Sequence, residues 1–339
     1  MKRARKKGTG PCFRTMSCLQ ITPNGRKMDQ SPPPCERLPM KLIVGCGYLG
    51  SHVARRWLAA GQQVTALVRH APPSTASPPS SFLLPPSAVR IADITQPATL
   101  GQLPAAETVL YAVGYDPLGG RSREEVVVEG LKNVLDALPP DTGRIVFISS
   151  TGVYGDMAGA RVDEQSPCRP AREAGRLLLA AEQLLSQHPL GPRSVILRLA
   201  GLYGPGRLPP LADLSSGAPL AVPADSLVNL IHVEDAATAV LAAESRAQPP
   251  CMYLVSDGHP IDRRRYLSHL AELSGLPPPR FCDSSTAAVG ARSRRAGNKR
   301  ISNARLVAEL GVAFAYPTYL EGLAASVAPR SAATHPPWP

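Results

Sequence analysis

The stretch "KLIVGCGYLGSHVARRWLAAG", residues 41–61, constrains this chain more than any other. A short apolar run ends at Val44. Glycines follow in the spacing Gly45-x-Gly47-x-x-Gly50, and a helical stretch then runs to Gly61. A strand, a glycine loop and a helix in that order give the spacing its meaning. Gly45 permits the tight turn, Gly47 lets the backbone approach a pyrophosphate, and Gly50 lets the helix pack closely on the strand. The helix N-terminus, at Tyr48 and Leu49, adds backbone N–H groups and a positive dipole end for the phosphates. The segment therefore predicts a dinucleotide site.

The alternation continues beyond it. "QQVTALVR" reads as a second strand ending at Arg69, and the Pro/Ser-rich residues 72–87 read as a loop. Residues 88–93, 107–114 and 143–150 read as further strands, 123–138 and 167–185 as helices, and 194–206 as a sixth strand with its loop. Strands alternating with helices predict a parallel sheet covered on both faces, a Rossmann-type doubly wound α/β fold. Past residue 200 the alternation fades. The expected organisation is a dinucleotide-binding domain over 40–200 and a smaller, partly interleaved substrate lobe over 201–328. Residues 329–339 read as a frayed tail.

The net charge of +11 suggests nucleic acid until it is located. Residues 1–39 carry nine Lys/Arg against two acids, and the remaining charge is spread thinly. That segment reads as a disordered basic extension or as residues ahead of the true start at Met40, so nucleic acid is not the expected partner. It has no apolar stretch of the kind a secretory signal needs. No run approaches the ~20 apolar residues that span a bilayer, which argues against a membrane partner. The seven cysteines are scattered without a C-x-x-C pair, so neither a zinc site nor a disulfide framework is expected and the cytoplasm is the default location. Cys46, inside the glycine loop, reads as a small residue that fits.

The second strand bears on the cofactor. NAD binders usually place an acid there for the ribose 2′-OH, whereas this strand ends in Arg69, 24 residues after Gly45. A guanidinium suits a 2′-phosphate, so NADP is expected ahead of NAD. Asp93 and Ile94 end the third strand, where a carboxylate could accept from the adenine amine. Ala112, Val113 and Gly114 end the fourth strand beside the cofactor, and Ser149 is placed with them.

Several stretches together resemble the extended short-chain dehydrogenase/reductases, the NAD-dependent epimerase/dehydratase group. They are "VFISSTGVYGD", "ILRLAGLYGPG", "LVNLIHVEDAA", "GNKRISNARLVAELG" and "YPTYLEGL", and the resemblance covers about residues 40–326. It implies that Ser150 polarises a substrate carbonyl or hydroxyl. It also implies a helix carrying tyrosine as acid/base and lysine four residues later, the ammonium favouring a phenolate whose ordinary pKa is about 10. Here the chain departs. Aligned on that helix, Ala174 takes the tyrosine position and Leu178 the lysine position. Arg176 lies about 200° around the axis from position 174. After Lys41 the only lysines are Lys132 and Lys299, and no other tyrosine restores the spacing on a helix. The glycine loop, GxGxxG rather than GxxGxxG, also points to the group's atypical members.

Two readings follow. In one, the chain is an NAD(P)-dependent epimerase/dehydratase-like oxidoreductase acting on a nucleotide-sugar or small carbonyl compound. Ser150 and Thr151 are then its hydrogen-bond donors and Tyr154 its substitute acid, with Glu173, Asn229 and His232 as substrate contacts. His232 also has a plainer reading, as a hinge residue satisfied by backbone. In the other, the chain binds NADP without turnover, as a redox sensor or regulator. A homodimer is left open by both.

Overall fold

The computed structural model describes residues 40–70, 84–209, 211–282 and 297–327. All of them fall in one compact unit, Leu38–Pro339. The expected N-terminal extension, most of the 72–87 loop and the C-terminal tail lie outside the described residues.

Seven strands form one parallel sheet in the order β11-β7-β5-β4-β1-β2-β3. They are β1 (Met40–Val44), β2 (Gln63–Val68), β3 (Val89–Ile91), β4 (Thr108–Tyr111), β5 (Arg144–Ser150), β7 (Ser194–Leu199) and β11 (Cys251–Val255). The Rossmann-type fold is thus present, with its reversal of strand order between β1 and β4, where such sheets open a ligand crevice. The apolar runs are nearly continuous because both faces are covered. Ile43 packs toward helices α1 (Tyr48–Ala59) and α6 (Val233–Arg246). Leu42 and Val44 pack on the other side with α3 (Gly130–Ala137) and α4 (Glu173–Gln187). Lys41 is the polar exception, buried with its amine on Glu107 at 2.8 Å and Glu244 at 2.5 Å.

Local chemistry trims the elements that periodicity suggested. The 123–138 helix begins as a wider turn, Glu125–Glu129, before α3. The 167–185 helix starts only at Glu173, because Arg172 is extended (φ −97°, ψ 148°) and Pro170 precedes it. The sixth strand divides at Ala200. Its second half, β8 (Gly201–Tyr203), leaves the sheet and pairs with β10 (Leu230–His232), which carries the chain into the smaller lobe. That lobe has its own core of Tyr203, Leu214, Tyr266, Leu270 and Leu323. Its helices are the short α5 (Leu211–Ser215), α7 (Arg263–Leu273) and α9 (Tyr319–Val327). Helix α8 (Ala304–Leu310) packs back against β11, and α2 (Pro97–Leu100) against α3. The small pairs β12 (Ile261–Asp262) with β9 (Leu227–Val228) and β13 (Arg300–Ile301) with β6 (Arg161–Val162) complete the fold. β11 follows β8, β9 and β10 in the chain yet edges the main sheet. Among the described residues no helix is long and apolar enough to cross a membrane.

Candidate functional site

The glycine loop follows β1, whose last residue lies level with the end of β4, Val44 opposite Tyr111. Gly45 has φ +86°, and a Cβ there would stand 2.8 Å from the Val113 backbone. A Cβ on Gly50 would meet the Gly45 carbonyl oxygen at 2.6 Å, which keeps α1 tight against the loop. Gly47 and Gly114 differ: open space lies where their side chains would be. Gly47 caps α1 with no side-chain hydrogen bond, and the first turn has no acidic residue. The N-terminal N–H groups of a helix beside an open space, with no acid in its first turn, fit a pyrophosphate. Leu49 is buried in the core, and Tyr48 is buried with its hydroxyl donating to the Pro205 carbonyl at 3.1 Å, so both can offer a ligand backbone only. Cys46 is a buried thiol, pushed by burial to about 12, which suits the plain reading of a small residue that fits.

Arg69 follows β2 directly and is half-exposed, its guanidinium 3.0 Å from Asp116 and its Nε donating to His70 at 2.9 Å. Asp93 accepts from the Thr95 N–H at 2.9 Å and hydroxyl at 2.8 Å, and lies 3.6 Å from Arg121. Burial pushes its pKa up, but the Thr95 bonds and the nearby arginines outweigh that and hold it below the usual value. Ile94 packs its side chain near Gly130, and its carbonyl accepts from Asn133 at 2.9 Å. Ala112 is tied to the Val44 carbonyl at 2.9 Å, so Ala112–Gly114 flank the loop.

A cleft of about 530 Å³ opens from the end of β5 toward the smaller lobe. Ser150, Thr151 and Asn229 line it. Ser150 caps the turn Thr151–Tyr154 by accepting from the Gly152 N–H at 3.1 Å. Asn229 has both ends of its amide committed: Nδ2 donates to the Lys299 carbonyl at 2.9 Å, and Oδ1 accepts from the Ile301 N–H at 2.8 Å. It shapes the cleft by pinning that strand.

Four expected side chains lie elsewhere. Tyr154 is fully buried and off the cleft, its hydroxyl accepting from Arg198 Nη1 at 2.7 Å. Burial pushes its phenol up to about 12, against the pull of the Arg198 charge, and its hydroxyl meets Arg198 rather than the cleft. The alternation along β5 turns Ser149 away from the cleft, where its hydroxyl donates to Glu182 at 2.5 Å inside the protein. Glu173 sits exposed at the start of α4, 3.9 Å from Arg123 and outside the cleft. His232 is buried, caps α6 by accepting from the Glu234 N–H at 3.3 Å, and lies tilted against the Tyr316 ring with centroids 3.9 Å apart. Burial holds its pKa down at about 4.

Helix α4 carries no acid/base pair at the expected positions, and Leu178 there packs beside Tyr154. Gly175 is why the helix sits so close: a Cβ would meet the Gly152 carbonyl oxygen at 2.8 Å. One turn beyond Leu178, Glu182 receives two hydrogen bonds from Arg198, at 3.0 and 2.6 Å. Sequence reasoning also missed the cations of the cleft. Arg172, Arg207, Arg263 and Lys299 all line it, and among the described residues no carboxylate does. They come from four separate segments, so no motif announces them. Lys299 is 6% exposed, and its amine donates to the Gly155 carbonyl at 3.0 Å.

The NAD-dependent epimerase/dehydratase family matches residues 42–255. Protein YeeZ of Escherichia coli K12 is 32% identical over 280 residues, spanning 81% of this chain and 95% of that protein. The dTDP-6-deoxy-L-talose 4-dehydrogenase (NAD(P)(+)) of Kitasatospora kifunensis is 28% identical over 260 residues, spanning 70% and 79%. The solved structure of the Bordetella bronchiseptica enzyme WbmH in complex with NAD+ has a TM-score of 0.69 at 23% identity, covering 86% of this chain and 98% of that one, a likeness of fold. With the match running from the strand before the glycine loop to the last strand of the sheet, the chain belongs to the NAD-dependent epimerase/dehydratase family.

Proposed function

We propose that the chain is an NAD(P)-dependent oxidoreductase acting on a small anionic carbonyl compound or a nucleotide-sugar. The observation that carries this is a glycine cradle at Gly45–Gly50 in the same unit as a cleft at the end of β5 that, among the described residues, is lined by four cations and no acid. Backbone N–H groups of the loop and α1 hold the pyrophosphate. Arg69, with Arg121 nearby through Asp93, receives a 2′-phosphate, so NADP is preferred over NAD. The nicotinamide supplies or accepts hydride when bound. The chain's own part is to hold the substrate anion with Arg172, Arg207 and Arg263 and to present Ser150 to its reacting oxygen.

The names of the Kitasatospora dehydrogenase and of the NAD+-bound Bordetella enzyme support the cofactor class. The four described cysteines are free thiols, in keeping with a cytoplasmic location. A homodimer belongs to the same reading, and sedimentation of the full chain tests it. The rival reading, an NADP-binding sensor without turnover, draws on the buried Tyr154 and the apolar Leu178. Purified protein with NADPH and a panel of carbonyl compounds separates the two. NADPH oxidation supports the oxidoreductase, and binding without oxidation supports the sensor.

A further inference from the structure

Of the titratable side chains lining the cleft, few can give up a proton near neutrality. Arginines stay charged. Tyr203 and Tyr266 are phenols that burial pushes well above their ordinary value. Lys299 moves the other way. Burial and the like charge of Arg172 draw its amine down, only partly offset by the carboxylate of Asp156.

Its geometry is equally specific. Lys41, also buried, meets two carboxylates, whereas Lys299 has no ion pair among the described residues. One N–H goes to the Gly155 carbonyl, which leaves two donors. Gly155 closes the turn that Ser150 opens, and Ser150 and Lys299 line the same cleft. Asn229 fixes the backbone of Lys299 through its carbonyl, so the side chain springs from a held base.

We propose that Lys299 is the proton-transfer residue of this cleft, donating from Nζ to the oxygen of a carbonyl substrate held at Ser150. The proposal rests on the oxidoreductase reading. In reduction, the substrate carbon gains hydride from the reduced pyridine dinucleotide as co-substrate. The C=O π pair moves onto oxygen, an Nζ–H bond breaks and an O–H bond forms. The neutral amine then regains its proton from water, and oxidation runs the same transfers backward.

The test uses the full chain and two variants, Lys299→Met and Lys299→Arg. Competitive acetylation with acetic anhydride, read by mass spectrometry, titrates Lys299 against the exposed Lys132 in the same molecule. A lower midpoint for Lys299 is expected, and an equal or higher one overturns the proposal. NADPH fluorescence titration should give both variants an affinity within about twofold of wild type. With 9,10-phenanthrenequinone heading a carbonyl panel, Lys299→Met should lower kcat about a hundredfold or more. It should also remove the fall in rate as pH rises through the amine's pKa. Lys299→Arg keeps the charge but gives up no proton, so it should stay slow, and rescue by arginine overturns proton transfer in favour of a positioning role. A wild-type chain that binds no NADPH overturns the oxidoreductase reading itself. One that binds NADPH but oxidises it with no carbonyl overturns that reading in favour of the sensor, and Lys299 with it, whereas wild-type turnover that Lys299→Met leaves within about tenfold overturns the role of Lys299 alone.

Discussion

Arg198 and Glu182 form a two-point ion pair, 3.0 and 2.6 Å, with both side chains under 10% exposed. The pair also receives Ser149 and holds Tyr154, so four buried polar side chains satisfy one another beneath the cleft floor. Removing one partner leaves a buried charge uncompensated. Glu182→Ala should therefore cost about 3–5 kcal/mol of stability in urea unfolding. The double variant Glu182→Leu with Arg198→Met should recover much of that loss. A cost below about 1 kcal/mol for the single variant would mean that water reaches the pair.

The glycine loop separates folding from binding. Gly45→Ala forces a side chain onto the Val113 backbone at a positive φ, so it should lower the melting temperature as well as dinucleotide affinity. Gly47→Val points into open space and should leave melting nearly unchanged while abolishing binding. Fluorescence titration and thermal melts on the two variants check the contrast.

Arg69→Ala bears on cofactor choice. Loss of one charge-assisted contact should weaken NADPH about tenfold or more and leave NADH within about twofold. Equal losses for both dinucleotides would assign Arg69 to structure, through its pair with Asp116.

Asp257 gives a pH dependence with a definite sign. Burial raises its carboxyl from 3.8 to about 7, and Oδ2 has no hydrogen-bond partner among the described residues. The folded state therefore holds the proton more tightly than the unfolded chain. The stabilisation is complete below about 3.8 and is lost as pH rises toward 7. His232, held down at about 4, contributes the opposite slope between about 4 and 6.5, so the difference between wild type and variant isolates the aspartate. Asp257→Asn should gain stability relative to wild type as pH rises from 5 to 8, read by melts across that range. A constant difference would remove Asp257 from the pH response.

The fold was legible because its signals are local. The apolar run to Val44, the glycine spacing and Gly61 each act over a few residues, and the parallel sheet follows from their alternation. The departure at Ala174 and Leu178 was legible for the same reason. The cleft was not. Ser150 and Asn229 could be placed by resemblance, but Lys299 reaches the Ser150 turn only through the pairing of β13 with β6 and the Asn229 amide. Tyr154 misled because a tyrosine four residues past Ser150 looks available in sequence. Whether it faces the cleft or Arg198 depends on a turn conformation that spacing does not encode.

Calorimetric titration of the full chain with NADPH, alongside Gly47→Val, tests the dinucleotide cradle most directly. Saturable one-to-one binding to wild type, absent from the variant, is expected. No heat with either NADPH or NADH, or undiminished binding by the variant, would contradict a pyrophosphate seat at Gly45–Gly50.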